Sequence, residues 1–254
     1  MLQVKQVTKR FNDGTVALSS IDMNIQAGEL VILLGHNGSG KSTLLRTIGG
    51  LEAATSGDIL LSGESISHGG RRQMRNLRKK MGHVFQKFHL IPNLSVFQNV
   101  LFGALGRHPL VVSTLHPFAK KALREKAMSC LERVNLDHLA SRRADQLSGG
   151  QQQRVAIARM LMQEPSIILA DEPIASLDPK AGVEVMDLLI EVAKEQGMTL
   201  ICTLHQLDLA AEYGNRFVGL SSGRLVMDEK KSHHHTPRSF AWLYEGEKEL
   251  LENV

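Results

Sequence analysis

The sequence predicts an α/β fold: a mostly parallel sheet covered by helices, an N-terminal antiparallel β subdomain and an inserted α-helical subdomain. Three observations lead there. Short apolar runs such as Leu30–Leu34, Ile167–Ala170 and Thr199–Leu204 are interleaved with longer helical stretches, the pattern of strands buried on both faces. Two strand-like runs flank a turn signal within the first 25 residues. Between about Lys87 and Glu164 strand signals vanish and amphipathic periods replace them.

In chain order, strands are expected at Leu2–Val7 and Ala17–Ile25, joined through the turn residues Asn12-Asp13-Gly14. After Gly28-Glu29 a buried strand, Leu30–Leu34, runs into Gly35. A Gly-rich loop follows, then a helix from Lys41 to about Ile48. Gly57–Leu61 and Met81–Gln86 read as further short strands. Helices are expected at Val96–Leu105, Lys120–Val134 and Gln151–Met162, the second with its apolar residues at spacings of three and four. The core resumes with a strand at Ile167–Ala170, a helix at Pro179–Gln196, a strand at Thr199–Leu204 and a hairpin around Ser222-Gly223. The expected organisation is one domain over 1–254: a core from 1–86 and 165–228, a helical part over about 87–164, and a short tail at 229–254.

Composition narrows the function classes. With 43% hydrophobic and 22% charged residues the chain is ordinary for a globular protein. Only 4% is aromatic, which argues against a stacking surface for single-stranded nucleic acid. No apolar run exceeds the five residues of Leu30–Leu34, far short of the ~20 residues of a membrane-spanning helix. Met1–Arg10 alternates polar and apolar residues and does not read as a secretory leader, so a cytoplasmic chain is expected. The net charge of +4 suits an anionic membrane surface as well as nucleic acid and decides nothing alone. Cys130 and Cys202 share no motif and read as small core residues. The basic run Arg71, Arg72, Arg75, Arg78, Lys79 and Lys80 reads as a solvated face, and His233-His234-His235 as a flexible tail rather than a metal site.

The chemistry is concentrated in three motifs. Gly35-His36-Asn37-Gly38-Ser39-Gly40-Lys41-Ser42 fits G-x-x-x-x-G-K-[ST] between a buried strand and a helix. Its glycines let backbone N–H groups converge on phosphate oxygens, and the helix N-terminus adds a favourable dipole. Lys41 is expected to reach the β- and γ-phosphates, and the Ser42 hydroxyl to ligate Mg²⁺. Next, Ile167–Ala170 ends in Asp171-Glu172. Adjacent strand residues face opposite ways, so Asp171 is assigned to Mg²⁺ and Glu172 to the attacking water as general base. Pro173 weakens the alternative, an N-cap pair for a following helix. The third motif is Leu147-Ser148-Gly149-Gly150-Gln151, which alone could be a capping turn.

Placed between the Gly-rich loop and the Asp-Glu strand, that motif makes residues 2 to 228 resemble the ABC ATPase family. The resemblance implies a P-loop NTPase core that binds ATP and Mg²⁺ and dimerises head to tail. The signature loop of one subunit would close over ATP on the other. The implied ATP-binding set is Phe11, Gly35 through Ser42, Thr43, Ser148, Gly149, Gly150, Gln151 and Asp178, with Ser42, Gln86 and Asp171 at the Mg²⁺. Lys41, Gln86, Glu172 and His205 are the implied catalytic group. Gln86 matches the Q-loop, Asp178 the D-loop that crosses the dimer interface, and His205 the switch histidine. Phe11 stands where the family more often stacks Tyr on adenine. Asn99–Arg107, Leu169–Pro179 and Thr203–Asp208 further resemble the ATPase subunits of phosphonate and phosphite importers, as do the extra residues between Gly106 and Lys120. Amino-acid importers more typically carry Thr-Ser-Ala where Ile174-Ala175-Ser176 stands, and DNA-repair relatives interrupt the core with coiled coils or Cys-rich modules absent here. The implied partners are a second ATPase subunit, transmembrane permease subunits and, indirectly, an external solute-binding protein, with no nucleic acid. The implied location is the cytoplasmic face of the cell membrane.

Overall fold

The computed structural model describes residues 1–107, 119–232 and 234–244. They form two sheets. The smaller is antiparallel, in the order β2-β1-β4-β5, from β1 (Leu2–Arg10), β2 (Val16–Ile25), β4 (Ser56–Leu61) and β5 (Glu64–Ser65). Leu2 and Val4 of β1 face the core while Gln3 and Lys5 face solvent. Val7 returns to the core out of phase because the register slips between Val4 and Val7, where Gln6 has φ 48°. A bulge of this kind moves the alternation by one residue.

The larger sheet runs β10-β9-β3-β8-β7-β6. Its parallel members are β3 (Leu30–Leu34), β6 (Met81–Phe85), β7 (Ile167–Asp171), β8 (Thr199–Thr203) and β9 (Arg216–Ser221). An antiparallel edge strand, β10 (Arg224–Lys230), completes it. Alternation along β3 assigns its faces. Val31 and Leu33 join a core with Leu44, Leu45 and Ile48 of α1 (Lys41–Ile48) and with the antiparallel sheet. Leu30, Ile32 and Leu34 join the other core, with α3 (Val96–Leu101), α4 (Lys121–Arg133), α5 (Gly149–Met162) and α6 (Pro179–Glu195). Helix α5 touches α3, α4, α6 and β6, so it fastens the helical part to the sheet. No helix among the described residues is long and apolar enough to cross a membrane.

Several expectations are corrected. The helix expected over Val96–Leu105 stops at Leu101 and tightens into a 3-10 turn, Phe102–Gly106. The turn lies against α5 so closely that a Cβ on Gly103 would sit 2.1 Å from the Arg159 carbonyl. Arg71, Arg72, Arg75 and Arg78 of the basic run are exposed, as expected, but they sit on an unexpected helix, α2 (Arg71–Lys79), with Leu77 buried beneath it. A further helix, α7 (Leu207–Tyr213), was not expected. In the described part of the tail a 3-10 turn at Pro237–Tyr244 buries Phe240 and Leu243. His235, expected to be mobile, is held beside the Phe217 and Phe240 rings, with Nε2 2.7 Å from Glu229 Oε2. His233 and most of the 106–120 segment lie outside the described residues.

Candidate functional site

The Gly-rich loop leaves the C-terminal end of β3 and opens α1. Gly35 has φ 140°, and a Cβ there would lie 2.2 Å from the Leu220 carbonyl, so no other residue fits. Gly40 precedes α1 at φ 106° with the Ala17 carbonyl 2.6 Å from where its Cβ would be. Lys41 is buried, and its Nζ donates to the carbonyls of Gly35 (2.7 Å) and His36 (3.0 Å). The ammonium is thus drawn back into the curl of the loop, at the mouth of a helix whose first N–H groups have no intrahelical acceptor. The cleft over this loop, about 250 Å³, is lined by Ala17, residues 37–43 and Glu172.

Strand β7 ends in Asp171, which meets the loop at Ser42, and Glu172 beyond it lines the cleft; β8 positions both. The Ser42 hydroxyl donates to Asp171 Oδ1 at 2.8 Å, and Thr203 Oγ1 donates to the same oxygen at 3.2 Å. Thr203 Oγ1 also accepts from the Glu172 amide at 2.7 Å. Glu172 adopts φ 49°, an uncommon left-handed conformation for a residue with a side chain, as the chain leaves β7. Its Oε1 meets His205 Nε2 at 2.7 Å. The hydroxyl and carboxylate oxygens of Ser42 and Asp171 are a hard-oxygen donor set, which fits a small divalent cation such as Mg²⁺.

Ser148 caps α5 in a reciprocal box: its Oγ accepts from the Gln151 amide, and Gln151 Oε1 accepts from the Ser148 amide. The capping alternative weighed from sequence is therefore a real property of this turn. Gly149 and Gly150 lie close to Leu177 and Ala181, beside the start of α6, which Asp178 caps through the Ala181 amide at 3.0 Å. Gln86 is exposed just after β6. Phe11 is 37% exposed, with Lys9 Nζ 4.9 Å from its ring centre. The structure gathers the loop, Asp171, Glu172 and His205. Ser148–Gln151, Phe11, Gln86 and Asp178 do not line the loop's cleft in the single chain.

Sequence reasoning missed Thr203, Gln153, Arg159 and Tyr244. Gln153 is buried in α5 and donates to the carbonyls of Phe85 (3.3 Å) and Pro173 (2.5 Å), joining the ends of β6 and β7. Arg159 holds the following loop through the Phe88 and His89 carbonyls at 2.9 and 2.5 Å, and burial lowers its pKa. None of these has a local pattern that marks it. A larger cleft lies elsewhere: about 680 Å³, between α2, β6, the Phe102–Gly106 turn and α5. Arg71, Arg75, Arg78, Lys79, His83, Phe85 and Arg159 are among its lining residues. Size would choose it as the reactive site. Among the described residues its lining holds no carboxylate and no Gly-rich loop, so the smaller cleft is the candidate reactive site.

Comparison with known proteins agrees. The ABC transporter family model matches residues 18–175. The chain is 45% identical over 247 residues to the phosphonates import ATP-binding protein of Lactobacillus acidophilus, covering 97% of this chain and 95% of that protein. It is 50% identical over 226 residues to the phosphate-import ATP-binding protein of Mycolicibacterium smegmatis, covering 88% and 84% respectively. Among solved structures, a dimeric ATP-binding cassette in a post-hydrolysis state with ADP and phosphate superposes with a TM-score of 0.80 at 36% identity, covering 91% of this chain and 98% of that one. A loop built for phosphate, two strand-end carboxylates and these matches along the chain lead to one conclusion: it belongs to the ABC transporter family as an ATP-binding subunit.

Proposed function

We propose that the chain drives import of phosphonate or phosphite by hydrolysing ATP at composite sites between two copies of itself, on the cytoplasmic face of a membrane permease. The contact between Glu172 and His205 at the edge of the phosphate loop carries the catalytic part of this reading. The loop amides and Lys41 bind the phosphates, and Phe11 lies against the adenine. Ser42 and Asp171, with Gln86, hold Mg²⁺, which supplies charge compensation on the phosphate oxygens. Glu172 accepts the proton of the attacking water, and His205 orients Glu172 and the terminal phosphate. Ser148–Gln151 presents its helix N-terminus to the ATP of the other copy, and Asp178 crosses the interface. The cleft beside α2 and Phe85 receives a permease helix, and Gln86 reports nucleotide state to it. A solute-binding protein outside the membrane supplies the solute to the permease.

The solute part rests on relatives, most of those compared being named for phosphonates. A second reading, phosphate, is favoured by the Mycolicibacterium relative. Growth separates them. Cells lacking this subunit and any redundant importer should fail on a phosphonate or phosphite as sole phosphorus source and grow on phosphate. Failure on limiting phosphate, with normal growth on phosphonates, would replace the first reading with the second.

A further inference from the structure

Strands β3 and β8 are neighbours, paired from Leu30↔Leu200 to Leu33↔Thr203. Beyond that rung they diverge. β3 turns through Gly35 into the phosphate loop, and β8 continues through Leu204 to His205. Divergence would strand a buried amide on one side and a buried carbonyl on the other, each costly without a partner. One hydroxyl serves both: Tyr244 Oη accepts from the Gly35 amide at 3.2 Å and donates to the Leu204 carbonyl at 3.3 Å. A phenolic oxygen can do this because it is donor and acceptor at once. It adds a side-chain rung to the ladder where the reactive groups begin.

The tail is built to hold that hydroxyl in place. Phe240 is fully buried against Phe217, ring centres 4.7 Å apart. Leu243 lies over Gly219, where a Cβ would come 3.0 Å from Leu243 Cδ2, and Gly219 itself pairs with Leu34 at the end of β3. His235 accepts from the Ser232 amide at 2.9 Å on one ring nitrogen and meets Glu229 on the other, which fixes the entry to the turn. The described part of the tail therefore docks on β9 and brings Tyr244 against the strand that carries the phosphate loop.

We propose that Tyr244 is a positioning residue for ATP hydrolysis: its hydroxyl sets the spacing between the phosphate loop, at Gly35, and the switch histidine, at His205. This rests on the assignment of His205 given above. It places control of the site in a segment distant in sequence from every motif.

The test is Tyr244→Phe in the full chain assembled with its permease, beside His205→Ala and the double variant. Phe keeps the ring and removes the bridging hydroxyl. The kcat for ATP should fall about three- to tenfold as the two hydrogen bonds of the bridge are lost, with KM for ATP close to wild type and the melting temperature lowered by a few degrees. In the His205→Ala background the same change should cost nothing further, since coupled residues are not additive. An unchanged kcat in Tyr244→Phe, or an equal loss in both backgrounds, overturns the proposal. Wild-type turnover in His205→Ala would instead overturn the assignment of His205, and the proposal with it.

Discussion

His205 Nε2 is hydrogen-bonded to Glu172 Oε1 at 2.7 Å, so a residue just past Leu204 at the end of β8 holds the residue after β7. The Glu172 main chain is tied to β8 as well, through its amide and Thr203 Oγ1. A carboxylate fixed at both ends cannot swing freely, which is what a general base beside a bound phosphate requires.

Glu172→Gln tests that role. The amide keeps the size and the contact to His205 but cannot take a proton from water. Hydrolysis should fall by ~10²–10⁴. ATP binding should survive, because the loop amides, Lys41 and Ser42 are untouched, and the ATP-bound form should elute as a dimer in size-exclusion chromatography. Near-normal turnover would remove Glu172 from the role of base.

A stability prediction follows from His83, which stacks on Phe85 with ring centres 5.4 Å apart in the wall of the large cleft. Burial, with Arg78 nearby, pushes its pKa down to about 4. The unfolded chain therefore binds a proton that the folded chain refuses between pH ~6.5 and ~4. Folding stability should fall as pH falls through that window, by about 2–3 kcal/mol from this group at pH ~4.5. His83→Gln should lose that much less stability than wild type between neutral pH and pH ~4.5 in urea denaturation. Identical acid slopes would show that folding leaves the His83 pKa where it is in the unfolded chain.

What was legible in the sequence was local. The strand Leu30–Leu34 and helix Lys41–Ile48 are found with the bounds expected, because an apolar run, a Gly-rich loop and a helix start are contiguous. Helix α2 was hidden by its own charge: Met74 and Leu77 are its only apolar residues, and one turn of spacing between them is too little to show a period. Phe240 and Leu243 are hidden for a related reason, since they follow a run of histidines that reads as a flexible tail. Thr203, Gln153 and Tyr244 could not be found at all. Their partners are remote, the Gly35–Tyr244 pair being separated by 209 positions, and only the sheet order brings them together.

The last prediction concerns the second copy. Ser148–Gln151 caps α5 beside Leu177 and Ala181 and contributes nothing to the lining of its own chain's phosphate cleft. If the signature acts on the partner's nucleotide, lesions in the two motifs can be separated by mixing. Lys41→Ala disables phosphate binding, and Ser148→Arg blocks the signature with bulk and charge. Each homodimer carries both sites damaged and should be nearly inactive. In a mixed dimer one site receives both lesions, while the other joins an intact loop to an intact signature. Random mixing with independent sites in a two-fold dimer should restore roughly a quarter of wild-type hydrolysis. If Ser148 served its own chain's loop, every site would keep one lesion and mixing would restore nothing. Sites that must fire together would also restore nothing, so a covalently fused pair with one intact site is measured beside a fused wild-type pair. Cross-linking with ATP establishes that mixed dimers form. With mixed dimers present and the fused wild-type pair active, a fused one-site pair no faster than either single variant would rule out independent composite sites.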